Sequence, residues 1–278
     1  MSENKMKTAV CFYGLVGTTD GKSSEGKGNP AKCFQISSPL QLQHIIEPNN
    51  ADVFIHSWST DLQSEILETY EPKKHIIEKQ IKFDIPSYVP SKPTRCQTHY
   101  SLWYSRQQSV KLKKEYEQKH DFKYDYVMIN RFDLAWQNSL VFEEYNPEYF
   151  WVGKWPKKIL QGEMLKDTTY WKKSRGGTVD PGFDTIWWGY PHSEENGILG
   201  MWFMSNSQYI DEFATLYNYL DEYSKPGNCP TDYGGQISAH LQCTYHLKQL
   251  GLLDKLKFVN KNWHDDFPSV RRKYYQTR

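Results

Sequence analysis

TAVCFYGLVG, residues Thr8–Gly17, is a largely apolar run broken only by glycines at its far end. Such a run, bounded by turn residues and without polar alternation, predicts a buried strand that opens into a glycine-punctuated loop. A second run of the same kind, ADVFIHSW (Ala51–Trp58), ends on polar and aromatic residues. Between the two, after the polar excursion TTDGKSSEGKGNPAK, the stretch SPLQLQHIIEPNN carries a short helical pattern that Pro48 and two asparagines bring to an end. Strand, helix and strand in that order make a parallel unit, and the fold class is therefore α/β.

The rest of the chain continues this alternation. Glu71–Thr94 holds four prolines around HIIEKQIKFDI and predicts a short strand with an irregular crossing. In His99–His120, apolar positions Leu102, Trp103, Val110, Leu112 and Tyr116 recur near helical spacing, so a helix is expected there, with KLKKEYEQK as its wet face. The helix leads into YDYVMINRFDLAW (Tyr124–Trp136), a third buried strand that stops on Arg131 and Asp133. EYFWVGKWPKK and LGMWFMSNS read as further strands, separated by the glycine-rich insert SRGGTVDPGFDTIWWGYPHSEENG. SQYIDEFATLYNYLDEY reads as an amphipathic helix with Ser207 as N-cap. CPTDYGGQISAHLQCTYHLKQLG reads as another, capped near Thr231 or Asp232 and closed by Gly251. No repeat or linker divides the chain, which is expected to form a single domain over residues 1–278.

Composition narrows the function classes. Basic and acidic residues number 34 and 33 and are interleaved, leaving a net charge of +1 that gives no field to gather nucleic acid. The five cysteines are scattered and never spaced C-x-x-C, which argues against both a disulfide framework and a zinc cluster and for a reducing compartment. No segment reaches the roughly 18 apolar residues of a membrane span, and the start MSENKMKTAVCFYGLVG has no long apolar core of a signal peptide. A soluble, cytoplasmic protein is expected. Aromatics make up 15% of the chain, enough to line a cleft with flat rings on which sugars and bases stack.

In open α/β sheets ligands sit beyond the carboxyl ends of the strands. Three predicted strands end in polar or glycine residues, at Gly14–Gly17, His56–Trp58 and Asn130–Asp133, and one shared cleft would explain all three. A carboxylate at a strand end, here Asp133, is a natural ligand for Mg²⁺ or Mn²⁺. Arg131, two residues earlier, lies on the same side of a strand and either forks onto a phosphate or holds the carboxylate in a structural pair.

The ordered set KTAVCFYGLVG, ADVFIHSW, SLWYSRQQSVKLKKEYE, YDYVMINRFDLAW and MWFMSNSQYIDEFATLYNYL resembles a family of nucleotide-sugar glycosyltransferases from large DNA viruses, chloroviruses among them, and from bacterial polysaccharide loci. The resemblance spans most of the chain. It implies a GT-A fold, a Rossmann-like α/β/α sandwich with a mostly parallel central sheet, whose nucleotide-binding half covers about residues 1–136 and whose acceptor-binding half covers about 137–278. It implies a nucleotide-sugar donor, UDP-linked, with UDP-xylose the donor the chlorovirus likeness suggests, and a glycan acceptor; the charge balance leaves no nucleic acid partner expected. Host cytoplasm is the implied location for a viral member.

The strand-end pattern and the resemblance together give candidate residues, the general base and the late histidine ligand coming from the resemblance. The nucleotide sugar would meet Tyr13, Gly14, Val16, Gly17, His56, Ser57, Trp58, Arg106, Arg131 and Asp133, with Arg95 a second arginine within reach of the diphosphate. Asp133 and His264 would hold Mn²⁺ or Mg²⁺. The chain departs from the family's usual D-x-D element, because Asn130, Arg131 and Phe132 precede Asp133, and Arg131 could supply part of the positive charge itself. Asp232 would be the general base of an inverting transfer, with Asp184, Glu194 and Glu195 in reserve. Asp232 reads equally as a helix N-cap. Trp187, Trp188 and Trp202 would form acceptor platforms, with Trp58 and Trp103 as further candidates. Two other classes stay open: a non-catalytic glycan-binding protein, and a metal-dependent nucleotide hydrolase or phosphotransferase, the latter disfavoured by the lack of a P-loop.

Overall fold

The computed structural model describes residues 6–17, 29–154, 197–231, 235–262 and 266–270. Asp184, Trp187, Trp188, Glu194, Glu195, Asp232 and His264 lie outside the described residues. Among the described residues seven strands form one sheet: β1 (Thr8–Gly14), β2 (Asp52–Ser57), β3 (Lys74–Ile77), β4 (Tyr126–Arg131), β5 (Phe150–Lys154), β6 (Phe203–Ser205) and β7 (Leu256–Asn262), in the order β3-β2-β1-β4-β6-β5-β7. β1 pairs in parallel with β2 and β4, β2 with β3, and β5 with β7, whereas β6 runs antiparallel to both neighbours. The expected α/β sandwich with a mostly parallel sheet is the architecture observed.

Each face of the sheet has its own core. Ala9, Cys11, Tyr13, Val127 and Ile129 point to one, and Val10, Phe12, Val53, Ile55 and Met128 to the other. Strands covered on both sides must be apolar at nearly every position, which is why β1 and β4 read as continuous runs. Each fully buried Phe or Ile in them contributes roughly 1.5–3 kcal/mol of burial.

The helices are α1 (Pro30–Gln41), α2 (Glu47–Asn49), α3 (Gln63–Tyr70), α4 (Pro93–His120), α5 (Ser207–Ala214), α6 (Leu220–Tyr223) and α7 (Ala239–Gln249). Several boundaries differ from the sequence reading. α1 starts at Pro30, inside the expected loop, because Asn29 accepts the Lys32 N–H as N-cap and Pro30 fits the first turn. Pro39 interrupts its hydrogen bonding, and the chain continues through a π-type turn, Leu42–Ile46. α4 begins six residues earlier than expected, again at a proline. Its KLKKEYEQK stretch is not wholly wet, since Lys113 and Glu117 are buried. Asn206, not Ser207, caps α5, which ends at Ala214 and passes through a 3₁₀ segment into α6. α7 begins at Ala239 after Ser238, so Thr231 is not its cap, although Gly251 closes it as expected with φ of 70°. α3 and β7 were not anticipated.

Beyond β7, Asp266–Val270 lies along Asp133–Gln137: Ala135 N–H donates to Pro268 O at 2.8 Å, Gln137 N–H to Asp266 O at 2.7 Å and Val270 N–H to Asp133 O at 2.9 Å. No disulfide joins the five cysteines, all of which are buried. Among the described residues no helix is long and apolar enough to cross a membrane.

Candidate functional site

Strand order reverses at β1: the chain moves outward from it to β2 and β3, then returns to its other side with β4. In such sheets the crevice beyond the carboxyl ends of the two strands at the switch is the default ligand position. Here those ends are Gly14 and Arg131, and Tyr13 and Arg131 are register partners on adjacent strands.

The loop after β1 is fixed from three sides. Gly14 N–H donates to Ser105 Oγ at 2.7 Å, Ser57 Oγ and Trp58 N–H both donate to Gly14 O, and Val16 N–H donates to Ser59 Oγ at 3.0 Å. His56 is buried between Ser105 Oγ at 2.7 Å and Glu78 Oε1 at 3.2 Å. Burial holds its pKa below the ordinary value against the opposing pull of Glu78. A neutral ring that donates from Nε2 and accepts at Nδ1 satisfies both contacts. Ser105, His56 and Glu78 have the sequence of contacts of a nucleophile, base and orienting acid, but Ser105 has no exposed surface and its Oγ is taken up by Gly14, so the trio is a clip for the loop.

Gly17 completes the loop with φ of 94°, and a Cβ there would stand 3.1 Å from Asp133 Cβ and 3.5 Å from Cys33 Sγ. Only glycine combines that backbone with that approach. The two regions that the sequence reading joined, the glycine loop and the Arg131–Asp133 element, are thus in contact.

Asp133 is buried and both of its oxygens are engaged. Arg131 Nε donates to Oδ1 and Nη2 to Oδ2, each at 2.7 Å, and Ser269 Oγ donates to Oδ2 at 2.9 Å. Burial pulls the Arg131 pKa down, but the charge of Asp133, the proximity of Tyr13 and the paired hydrogen bonds raise it overall, so the guanidinium is a permanent cation. Arg131 keeps 15% of its side chain exposed against 2% for Asp133, so the arginine is the member of the pair that faces outward. Gln41, at the junction of α1 with the π-type turn, steadies the element from below: its Nε2 lies 2.9–3.0 Å from the carbonyls of Arg131, Phe132 and Leu134, and its Oε1 accepts from Tyr70.

This geometry bears on the expected metal. Among the described residues no three His, Cys, Asp or Glu side chains converge as a metal would require. Asp133, the one expected ligand among them, has a guanidinium and a hydroxyl where a cation would coordinate. His264, the other expected ligand, lies outside the described residues.

Arg106 does not line the crevice as expected but lies wholly buried behind it. Its Nη2 donates to Tyr13 Oη at 2.6 Å and to Gly200 O at 2.7 Å, and its guanidinium lies over the rings of Tyr13, Trp103 and Phe203 at 4.4–5.0 Å. Arg95 donates to Ile237 O at 2.6 Å. His99, on the same helix, is pushed down to about 3 by burial and by Arg95, His240 and Arg106, and is neutral at ordinary pH.

Trp187 and Trp188 lie outside the described residues, and the expected tryptophan platforms among the described residues are core. Trp202 is fully buried, 5.5 Å from Trp136 and 5.7 Å from Phe267 between ring centroids, and offers no face to an acceptor. Trp103 is buried under Arg106, and Trp58 stacks on Tyr104 at 5.6 Å. Indole rings beside a switch point fill the sheet faces here because strands without polar alternation bury both sides. Sequence reasoning missed Gln41, Ser269 and Gly200. None carries a local signal, since the contacts each makes with Arg106 or the Arg131–Leu134 element span ninety or more positions.

No protein-family model matches this chain, and no curated protein matches it.

Proposed function

We propose that the chain is a glycosyltransferase that moves a sugar from a nucleoside diphosphate to a hydroxyl of a glycan. The observation that carries this reading is the Arg131 guanidinium, held bidentately by Asp133 at the switch point and beside a glycine loop rigidly tied to β2 and α4. A diphosphate leaving group gains one negative charge as the bond to the anomeric carbon breaks, and a fixed cation stabilises that charge without reorganising. Arg131 supplies it at the carboxyl end of β4. The Gly14–Gly17 loop, with its backbone close to the crevice, suits the nucleotide. UDP-linked sugars, UDP-xylose among them, are the first donors to test, as the family resemblance implies. An inverting reaction requires a carboxylate to take the acceptor proton on the opposite face, the role expected of Asp232 or Asp184.

The reading is checked by melting the protein with UDP, GDP or CMP, each with and without Mn²⁺, and by assaying hydrolysis and transfer from the matching sugar nucleotides. A ligand that prefers the folded state raises the midpoint, by about 2.7 kcal/mol of stability at a hundredfold excess over its Kd. The absence of both a shift and turnover with every donor would overturn the glycosyl-transfer reading. A shift with free oligosaccharides but no nucleotide would favour a glycan-binding protein instead.

A further inference from the structure

The two arginines at the switch point differ in how their charge is answered. Arg131 is paired with Asp133 and adds little net charge to the crevice. Arg106 is fully buried, and among the described residues no carboxylate lies within ion-pair distance of it. Its Nε and Nη1 have no hydrogen-bond partner, and neither does His99 Nε2, which faces the same region two turns earlier on α4. Aromatic rings around the guanidinium soften its desolvation, but they carry no net charge and cannot cancel it. A buried cation without a counter-ion is costly enough that an apolar residue would serve the fold better.

Its neighbours show which way the charge is directed. Arg106 Nη2 donates to Tyr13 Oη, leaving the Tyr13 hydroxyl proton to be given to something else. Tyr13 is the register partner of Arg131 and the last residue before Gly14, so it stands where β1 and β4 open into the crevice. Gly200, the other acceptor of Arg106, lies beside His240 Nδ1 and Cys243 Sγ, where a Cβ would make ordinary contacts at 3.5–3.9 Å.

We propose that the counter-charge of Arg106 is a bound phosphoryl group, held at the mouth between β1 and β4 and reached through the Tyr13 hydroxyl. Arg106 is then a positioning residue that gives the crevice its net positive charge from behind, while Arg131 makes the outer contact. The inference rests on the crevice being a ligand site and names the residue that makes it select anions.

Calorimetric titration of the full chain with pyrophosphate, UDP and uridine tests it. The wild-type protein is expected to bind pyrophosphate and UDP and to bind uridine far more weakly. Arg106→Gln should weaken both phosphoryl ligands by about tenfold or more, and Arg106→Lys should recover most of that loss, because a buried charge acts over several ångströms with little screening. Should Arg106→Gln fail to fold, Tyr13→Phe keeps the ring and removes only the hydroxyl, and is expected to weaken pyrophosphate several-fold. Wild-type affinity for pyrophosphate in either variant overturns the proposal, as does a wild-type protein that binds no phosphoryl ligand. Binding of pyrophosphate but not of UDP would uphold it while removing the nucleotide-sugar reading. Equal UDP affinity in wild type and Arg106→Gln would do the reverse.

Discussion

Arg106 and Lys113 stand about two turns apart on one face of α4, and both are fully buried cations. Lys113 is completely answered: its Nζ donates to Glu117 Oε2 at 3.0 Å and to Ser207 Oγ and Asp211 Oδ1 at 2.6 Å each. Glu117 in turn accepts from Ser207 and from the Tyr124 N–H, and pairs with Lys123. This network ties α4 to α5 and to the start of β4. Arg106 has rings and neutral oxygens for company. The difference teaches that a charge serving the fold closes on its own partners, whereas Arg106, without a carboxylate among the described residues, is the charge for which an outside partner is proposed.

The sharpest way to break this comparison is to remove Lys113. Lys113→Met removes the buried cation between Glu117 and Asp211, leaving them only the more exposed Lys123 and Lys114, and is expected to cost about 3–5 kcal/mol in urea unfolding. Adding Glu117→Leu and Asp211→Leu should return most of it, since an apolar triad needs no counter-charge. A loss below about 1 kcal/mol in the single variant would show the network to be slack.

Asp133→Asn comes next. It keeps the shape but removes the carboxylate that anchors Arg131, and should cost about 1.5–3 kcal/mol of stability as well as donor affinity. Unchanged affinity for every phosphoryl ligand would mean that Arg131 does not depend on Asp133 for its place.

Acid should weaken the fold by a similar amount. Burial, opposed in part by backbone hydrogen bonds, lowers the His246 pKa to about 4, against an ordinary value of 6.5. The unfolded chain therefore takes up a proton first, and stability falls as pH drops from about 6.5 to about 4 before this contribution levels off. Glu117 acts in the same direction at lower pH. Burial raises its pKa, but the Ser207 and Tyr124 hydrogen bonds and Lys113 hold it below the usual carboxylate value, so its stabilisation is lost only as pH falls through that lowered pKa. His246→Phe should flatten the melting-temperature profile between pH 6.5 and 4 relative to wild type, and an unchanged slope would assign the acid sensitivity elsewhere.

Gly17→Ala is expected to have the smallest effect, about 1–2 kcal/mol, from a left-handed backbone and a Cβ pressed on Asp133. Chemical denaturation measures it. Its ligand affinity should fall as well, because the loop must move away from the Arg131–Asp133 pair.

Much of the fold was legible beforehand because parallel strands covered on both faces announce themselves as apolar runs. TAVCFYG, DVFIHS and YVMINR became β1, β2 and β4 with little adjustment. Helix starts were less legible where prolines fit a first turn, at Pro30 and Pro93, and read as loop. In the candidate site, the glycine loop, His56 and Arg131–Asp133, which the sequence joined in one cleft, are neighbours in the structure. Burial separated their roles: Asp133 turned inward to Arg131 and Ser269, and Trp202 into the core.

By itself, then, the sequence determined the strand-helix alternation, the apolar interior and the cluster of polar strand ends, because those depend on local pattern and on which residues leave water. Only the tertiary structure decided that β6 runs against its neighbours, that Gln41 and Ser269 brace Arg131–Asp133, and that Lys113 is answered while Arg106 is not. Those outcomes depend on which distant side chains meet, and pairing at a distance leaves no trace in local spacing.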